Sequence, residues 1–138
     1  MNTDTIFELD ARLAQDTLFV HDLALGRVLL MNDRRYPWII LVPRLPGVVE
    51  LTDLDGEQWE RLWDESLHLC RVLKQAYPQG KLNIGALGNV VSQLHLHHVM
   101  RYEGDPAWPG PVWGHSEAEP YGVAEGREKV KQFSLLLV

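Results

Sequence analysis

Apolar positions along the chain recur with helical spacing, then strand spacing, then helical spacing again. Ile6, Leu9 and Leu13 stand three and four apart behind Asn2, Thr3 and Asp4, whose short polar side chains suit an N-cap, so the pattern predicts a first helix ending near Gln15. Residues 17–23 and 27–31 read as two strands joined through Ala24, Leu25 and Gly26, with the glycine permitting a hairpin turn. A polar loop, 32–37, leads to Trp38, Ile39, Ile40, Leu41 and Val42, a run of β-formers closed by Pro43 that predicts a buried third strand. Thr52, Asp53 and Asp55 supply caps for the longest helix, which runs to about Ala76 and is stopped by Pro78 and Gly80. Trp59, Leu62, Trp63, Leu67, Cys70 and Leu73 fall close to one face of that helix, and the spacing assigns them to the core. Residues 81–87 form a fourth strand, Gly88 and Asn89 a tight connection, and 90–101 a fifth strand. A Pro-, Gly- and Trp-rich ordered loop over 103–121 precedes a short C-terminal helix near 124–135.

Strands joined by short turns, with helices outside the sheet, give an α+β class: one five-stranded antiparallel sheet with a long helix, an N-terminal helix and a short C-terminal helix. At 138 residues and 46% hydrophobic content the chain is long enough to bury one core, and we read a single domain over 1–138 without a linker. A net charge of −6 argues against a nonspecific grip on a nucleic acid polymer, which needs clustered Lys and Arg, while leaving room for a small anionic ligand in a local pocket. The one cysteine, Cys70, has no intrachain disulfide partner. The N-terminus lacks the basic start and apolar core of a signal peptide, and no apolar run approaches the roughly 20 residues that span a bilayer, so the expected location is cytoplasmic, away from membranes.

The chemistry concentrates in the fifth strand. In the run Gln93, Leu94, His95, Leu96, His97, His98, Val99, Met100, period-two alternation puts Gln93, His95 and His97 on one face and Leu94, Leu96 and His98 on the other. His95 and His97 then have Cβ atoms about 7 Å apart, close enough for both imidazoles to reach one phosphate. One neutral imidazole is a competent nucleophile, and a neighbouring protonated one stabilises phosphate charge or protonates a leaving group. His-x-His on a strand is also a pair of metal ligands, but a catalytic zinc site wants a third, and His21, His68 and His115 lie in segments with no evident convergence on it.

This run resembles the signature of the histidine triad family of nucleotide hydrolases and transferases, His-φ-His-φ-His-φ-φ with φ apolar, with Gln93 standing where the first histidine is expected. The resemblance extends over residues 18–102. It takes in the approach from Asn83 through Gly88, Asn89 and Ser92, and the runs Leu30-Met31-Asn32 and Ile40-Leu41-Val42-Pro43, which resemble the two earlier strands that wall the family's nucleoside pocket. It implies that His95 attacks the α-phosphate of a nucleoside phosphoester, phosphoramidate or dinucleoside polyphosphate, forming a nucleotidyl-histidine intermediate. His97 would contact the phosphate oxygens or the leaving group, and Gln93, Asn89 and Asn32 would contact substrate. No metal or other cofactor is required by that scheme, and the partner implied is a second copy of the chain in a homodimer. Trp38 stands where many members carry an additional histidine and is read here as core, with a stacking surface for a base as the alternative. A weakened nucleotide-binding sensor or interaction module is the rival to an enzyme, and a His-based metal site is the further alternative.

Overall fold

The hairpin that opens the sheet joins β1 (Thr17–Asp22), which buries Val20 and exposes Phe19, to β2 (Gly26–Met31), whose Val28, Leu29 and Leu30 are buried in succession because both faces of the sheet are covered there. The computed structural model describes residues 6–138. Gly26 closes the hairpin because a Cβ there would run into the Leu41 side chain, and the Glu65 carboxylate accepts from Leu25 N (2.8 Å) and Gly26 N (2.7 Å), fixing the turn to the long helix. β3 (Trp38–Pro43), β4 (Lys81–Gly85) and β5 (Leu96–Arg101) complete one antiparallel sheet in the order β1-β2-β3-β5-β4. β3 and β5 are buried along their whole length, as their interior places in the sheet require, although β5 carries His97, His98 and Arg101 among its apolar residues.

One face of the sheet packs Val28, Leu30, Leu41 and Leu96 against α2 (Gly56–Ala76) and α3 (Val123–Leu137). The other face packs Leu29, Trp38, Ile40 and Val99 beneath Leu13 of α1 (Ala11–Asp16) and Ala107 and Val112 of the loop that follows β5. Arg101 organises that loop from inside, its guanidinium donating through Nε and Nη2 to Asp105 (2.8 and 2.9 Å) while Asp105 also accepts from the backbone of Tyr102, Ala107 and Trp108. Among the described residues no helix is long and apolar enough to cross a membrane.

Four expectations need correction. Helix α1 is capped by Asp10, whose carboxylate accepts from Arg12 N at 2.8 Å, and residues 6–10 are not helical. The expected caps Asn2, Thr3 and Asp4 lie outside the described residues. Helix α2 starts at Gly56 behind a capping box of Asp55 and Gln58, while Thr52 and Asp53 belong to a separate 3-10 turn.

The buried face of α2 carries Leu62, Glu65, Ser66, Leu69, Val72 and Leu73, whereas Trp59 and Trp63 are 39% and 40% exposed and Leu67 is 48% exposed. The reason is angular: residues spaced by four advance about 40° per step around a 3.6-residue helix, so the 59, 63, 67 row drifts off the core onto the flank. Finally, β4 stops at Gly85 and β5 starts at Leu96, leaving residues 86–95 as a loop, since the pairing of Gly85 with His97 ends the ladder.

Candidate functional site

His97 sits on β5 and His95 just before it, on the face turned away from α2; their ring centroids are 4.9 Å apart. Leu94, Leu96 and His98 take the opposite face, where the leucines join the core under α2 and His98 Nε2 lies 2.7 Å from Ser66 Oγ. Both site rings are buried against the floor of a cavity of about 460 Å³. Leu13 of α1, Trp38 of β3, Asn89 and Val91 of the 86–95 loop, and Trp113 of the later loop line the rest.

The two rings are held differently. His95 Nδ1 is 2.6 Å from the carbonyl oxygen of Gln93, which only accepts, so Nδ1 carries a proton and the lone pair of the neutral ring is on Nε2. His97 Nδ1 is 3.0 Å from Nε1 of Trp38, an indole N–H that only donates, so the lone pair is on Nδ1 and the proton on Nε2. Burial, reinforced by the charges of His95 and His98, pushes the His97 pKa down to about 3, and the ring is neutral near pH 7. One imidazole is therefore fixed with a nucleophilic nitrogen, and its neighbour with a neutral N–H donor. This differs from the expected pairing of neutral and protonated histidines, because nothing acidic is hydrogen-bonded to His97 to hold a positive charge there.

The other residues singled out in the sequence are distributed unevenly. Asn89 reaches the cavity. Gln93 does not bring its side chain there: Oε1 accepts from Asp10 N (2.9 Å) and Nε2 donates to the Glu8 carbonyl (2.8 Å), so the amide clamps the segment that leads into α1. Asn32 is also elsewhere, its Oδ1 accepting from Tyr121 N at 2.9 Å. Among the described residues no group of three or more His, Cys, Asp or Glu side chains is arranged to hold a metal ion.

Sequence reasoning missed three contributors. Trp38 packs in the core, but because Ile40 pairs with His97 in the β3–β5 ladder it is also the diagonal neighbour of His97 on the same face. Trp113, with its ring centroid 5.4 Å from that of His97, comes from a loop with no local signal. Arg35 joins the loop before β3 to the one after β5, holding Asp33 through Nε and Nη2 (3.0 and 2.9 Å), Ser116 Oγ (2.7 Å) and the Glu117 carbonyl (2.8 Å), and so sets one wall of the cavity.

The same fold is found among known proteins. The HIT domain family matches residues 12–104. The chain is similar to a histidine triad protein of Marinobacter aquaeolei, with 46% identity over 96% of each chain and a TM-score of 0.92. It is similarly close to one of Bradyrhizobium japonicum, with 41% identity over 96% of this chain and 99% of that one and a TM-score of 0.92. A histidine triad protein of Sinorhizobium meliloti shows 44% identity over 95% and 97% with a TM-score of 0.91. No curated protein matches the chain. With the HIT domain covering 93 of its 138 residues (12 to 104 inclusive) and these close relatives spanning nearly all of it, the chain belongs to the histidine triad family.

Proposed function

We propose that the protein is a nucleotide-binding hydrolase or nucleotidyl transferase in which Gln93 takes the place of the first triad histidine and His95 is the nucleophile. The observation that carries this reading is the pair of opposed tautomers: a free lone pair on His95 Nε2, held by the Gln93 carbonyl, beside the Nε2–H of His97 in one cavity. The lone pair attacks the α-phosphorus of a nucleoside phosphoester, phosphoramidate or dinucleoside polyphosphate, and the N–H hydrogen-bonds a phosphoryl or leaving-group oxygen. Water or another acceptor then releases the nucleotide from His95. Asn89, which lines the same cavity, meets the phosphate in this reading, and the aromatic and aliphatic lining formed by Trp38, Trp113 and Leu13 suits a nucleoside.

The enzyme acts in the cytoplasm as a homodimer. The free edge of the sheet at β4, with Ile84 45% exposed, supports that assembly, as does the exposed Trp59 and Trp63 flank of α2. An unpaired edge and an uncovered aromatic row are both surfaces that a second copy protects.

Incubation with a fluorogenic nucleotide substrate followed by an acid-free quench tests the reading. Mass spectrometry should find one nucleotidyl group on the peptide holding His95, and turnover should vanish in His95→Ala. An adduct on His97 or His98 would reject the assignment, and turnover no better than that of His95→Ala would make the protein a binding module.

A further inference from the structure

The contact between Trp38 and His97 reaches past the tautomer to the leaving group. Trp38 is buried, edge-on to Tyr36 with centroids 6.2 Å apart and tilted on His97 at 5.6 Å, so its N–H is fixed in direction. A proton added to His97 Nδ1 would set two N–H donors against each other, so the bond exists only with the neutral ring. Among the described residues, the charged and titratable groups around the same cavity are His95, Arg12 and Asp16 of α1, and Asp33, which is engaged with Arg35; none is hydrogen-bonded to His97. A neutral Nε2–H can donate a hydrogen bond but cannot surrender its proton near neutral pH, because that would leave an imidazolate. Transfer of a proton from His97 to a departing group therefore requires the imidazolium, which Trp38 opposes.

Resting on the function proposed above, we infer that Trp38 is a positioning residue that sets leaving-group specificity: by keeping His97 a neutral donor, it favours groups that depart as stable anions, such as the phosphate of a phosphoanhydride, over amines that must leave protonated. In the favoured reaction the His95 Nε2 lone pair forms the N–P bond. The P–O bond to the leaving phosphate breaks, and its electron pair stays on that oxygen without a proton. Water then attacks phosphorus, the N–P pair returns to Nε2, and the water proton passes to solvent. An alkylamine leaving group has no acid in this site to supply its proton.

Two substrates that share an adenosine 5′-phosphoryl group test this, one a dinucleoside polyphosphate and the other a phosphoramidate with an alkylamine leaving group. For the wild-type protein, kcat/KM should favour the anhydride by about a hundredfold or more, the scale of one general-acid contribution. Trp38→His, which replaces a fixed donor by a group able to accept from Nδ1–H, should narrow that ratio about tenfold or more and add an acidic limb to the amine's pH profile. Histidine 15N NMR of the unmodified protein should show His97 with Nδ1 unprotonated, a readout that needs neither activity nor a folded variant. Protonated Nδ1, wild-type rates on the two substrates within tenfold, or an unchanged ratio in a folded Trp38→His protein would each overturn the inference. Absence of turnover on both substrates, with Nδ1 unprotonated, would overturn the enzymatic reading and the leaving-group specificity with it.

Discussion

At the scale of single residues, the histidines were legible because their chemistry follows from alternation along one strand, and their partners were not because those come from elsewhere. The Gln93 amide illustrates this. Its partners are Glu8 and Asp10, 85 and 83 residues away, and no local pattern announces them. Gln93→Ala should therefore loosen the segment before α1, seen as faster amide exchange over residues 6–12, and raise KM severalfold. Its backbone carbonyl still orients His95, so kcat should stay within about tenfold, or 1.4 kcal/mol; a hundredfold loss of kcat at unchanged KM would place the side chain among the reacting groups. A second prediction concerns acid stability. Burial lowers the pKa of His97 from 6.5 to about 3 and that of His98 to about 4, so between those values and 6.5 the unfolded chain binds protons that the folded chain refuses. Stability should be level near neutral pH and fall as pH drops below about 6.5, and His98→Asn should flatten that fall in urea titrations taken at several pH values.

Among the elements, those read correctly are the ones whose signals are local. The apolar run of β3, the Gly-closed hairpin and the long helix bounded by Asp55 and Pro78 follow from neighbouring residues alone. The start of β5 differs from the sequence pattern because alternation continues through Leu94, although the strand that would pair with it has already ended at Gly85. The α2 face was misplaced for a geometric reason: apolar residues at spacing four look continuous in sequence while rotating out of the core. Replacing Leu69, fully buried, by Ala should cost about 2–5 kcal/mol in chemical denaturation. Removing the Asp55 side chain, which caps Gln58 N at 2.8 Å, should cost only about 1 kcal/mol. Comparable losses at the two sites would contradict this division between core and cap.

For the molecule as a whole, the order of sheet strands leaves β4 open, and the drift of the tryptophan row leaves an aromatic flank on α2. Each of these surfaces can seat the second copy in the homodimer proposed above. Light scattering should give twice the mass of one chain, and Trp63→Glu combined with Ile84→Lys should reduce it to one while each protomer keeps its fold. An unaltered dimer in that variant would direct attention to another surface. The amide clamp on Glu8 and Asp10 has a consequence for the molecule's thermodynamics. Because Leu13, Arg12 and Asp16 reach the cavity from the helix that this clamped segment introduces, docking of the segment and occupation of the cavity are two equilibria on one body. Their coupling is reciprocal: whatever factor docking adds to ligand affinity, the bound ligand returns to docking, so the segment over residues 8–10 reports on the cavity's occupancy as faithfully as it shapes it.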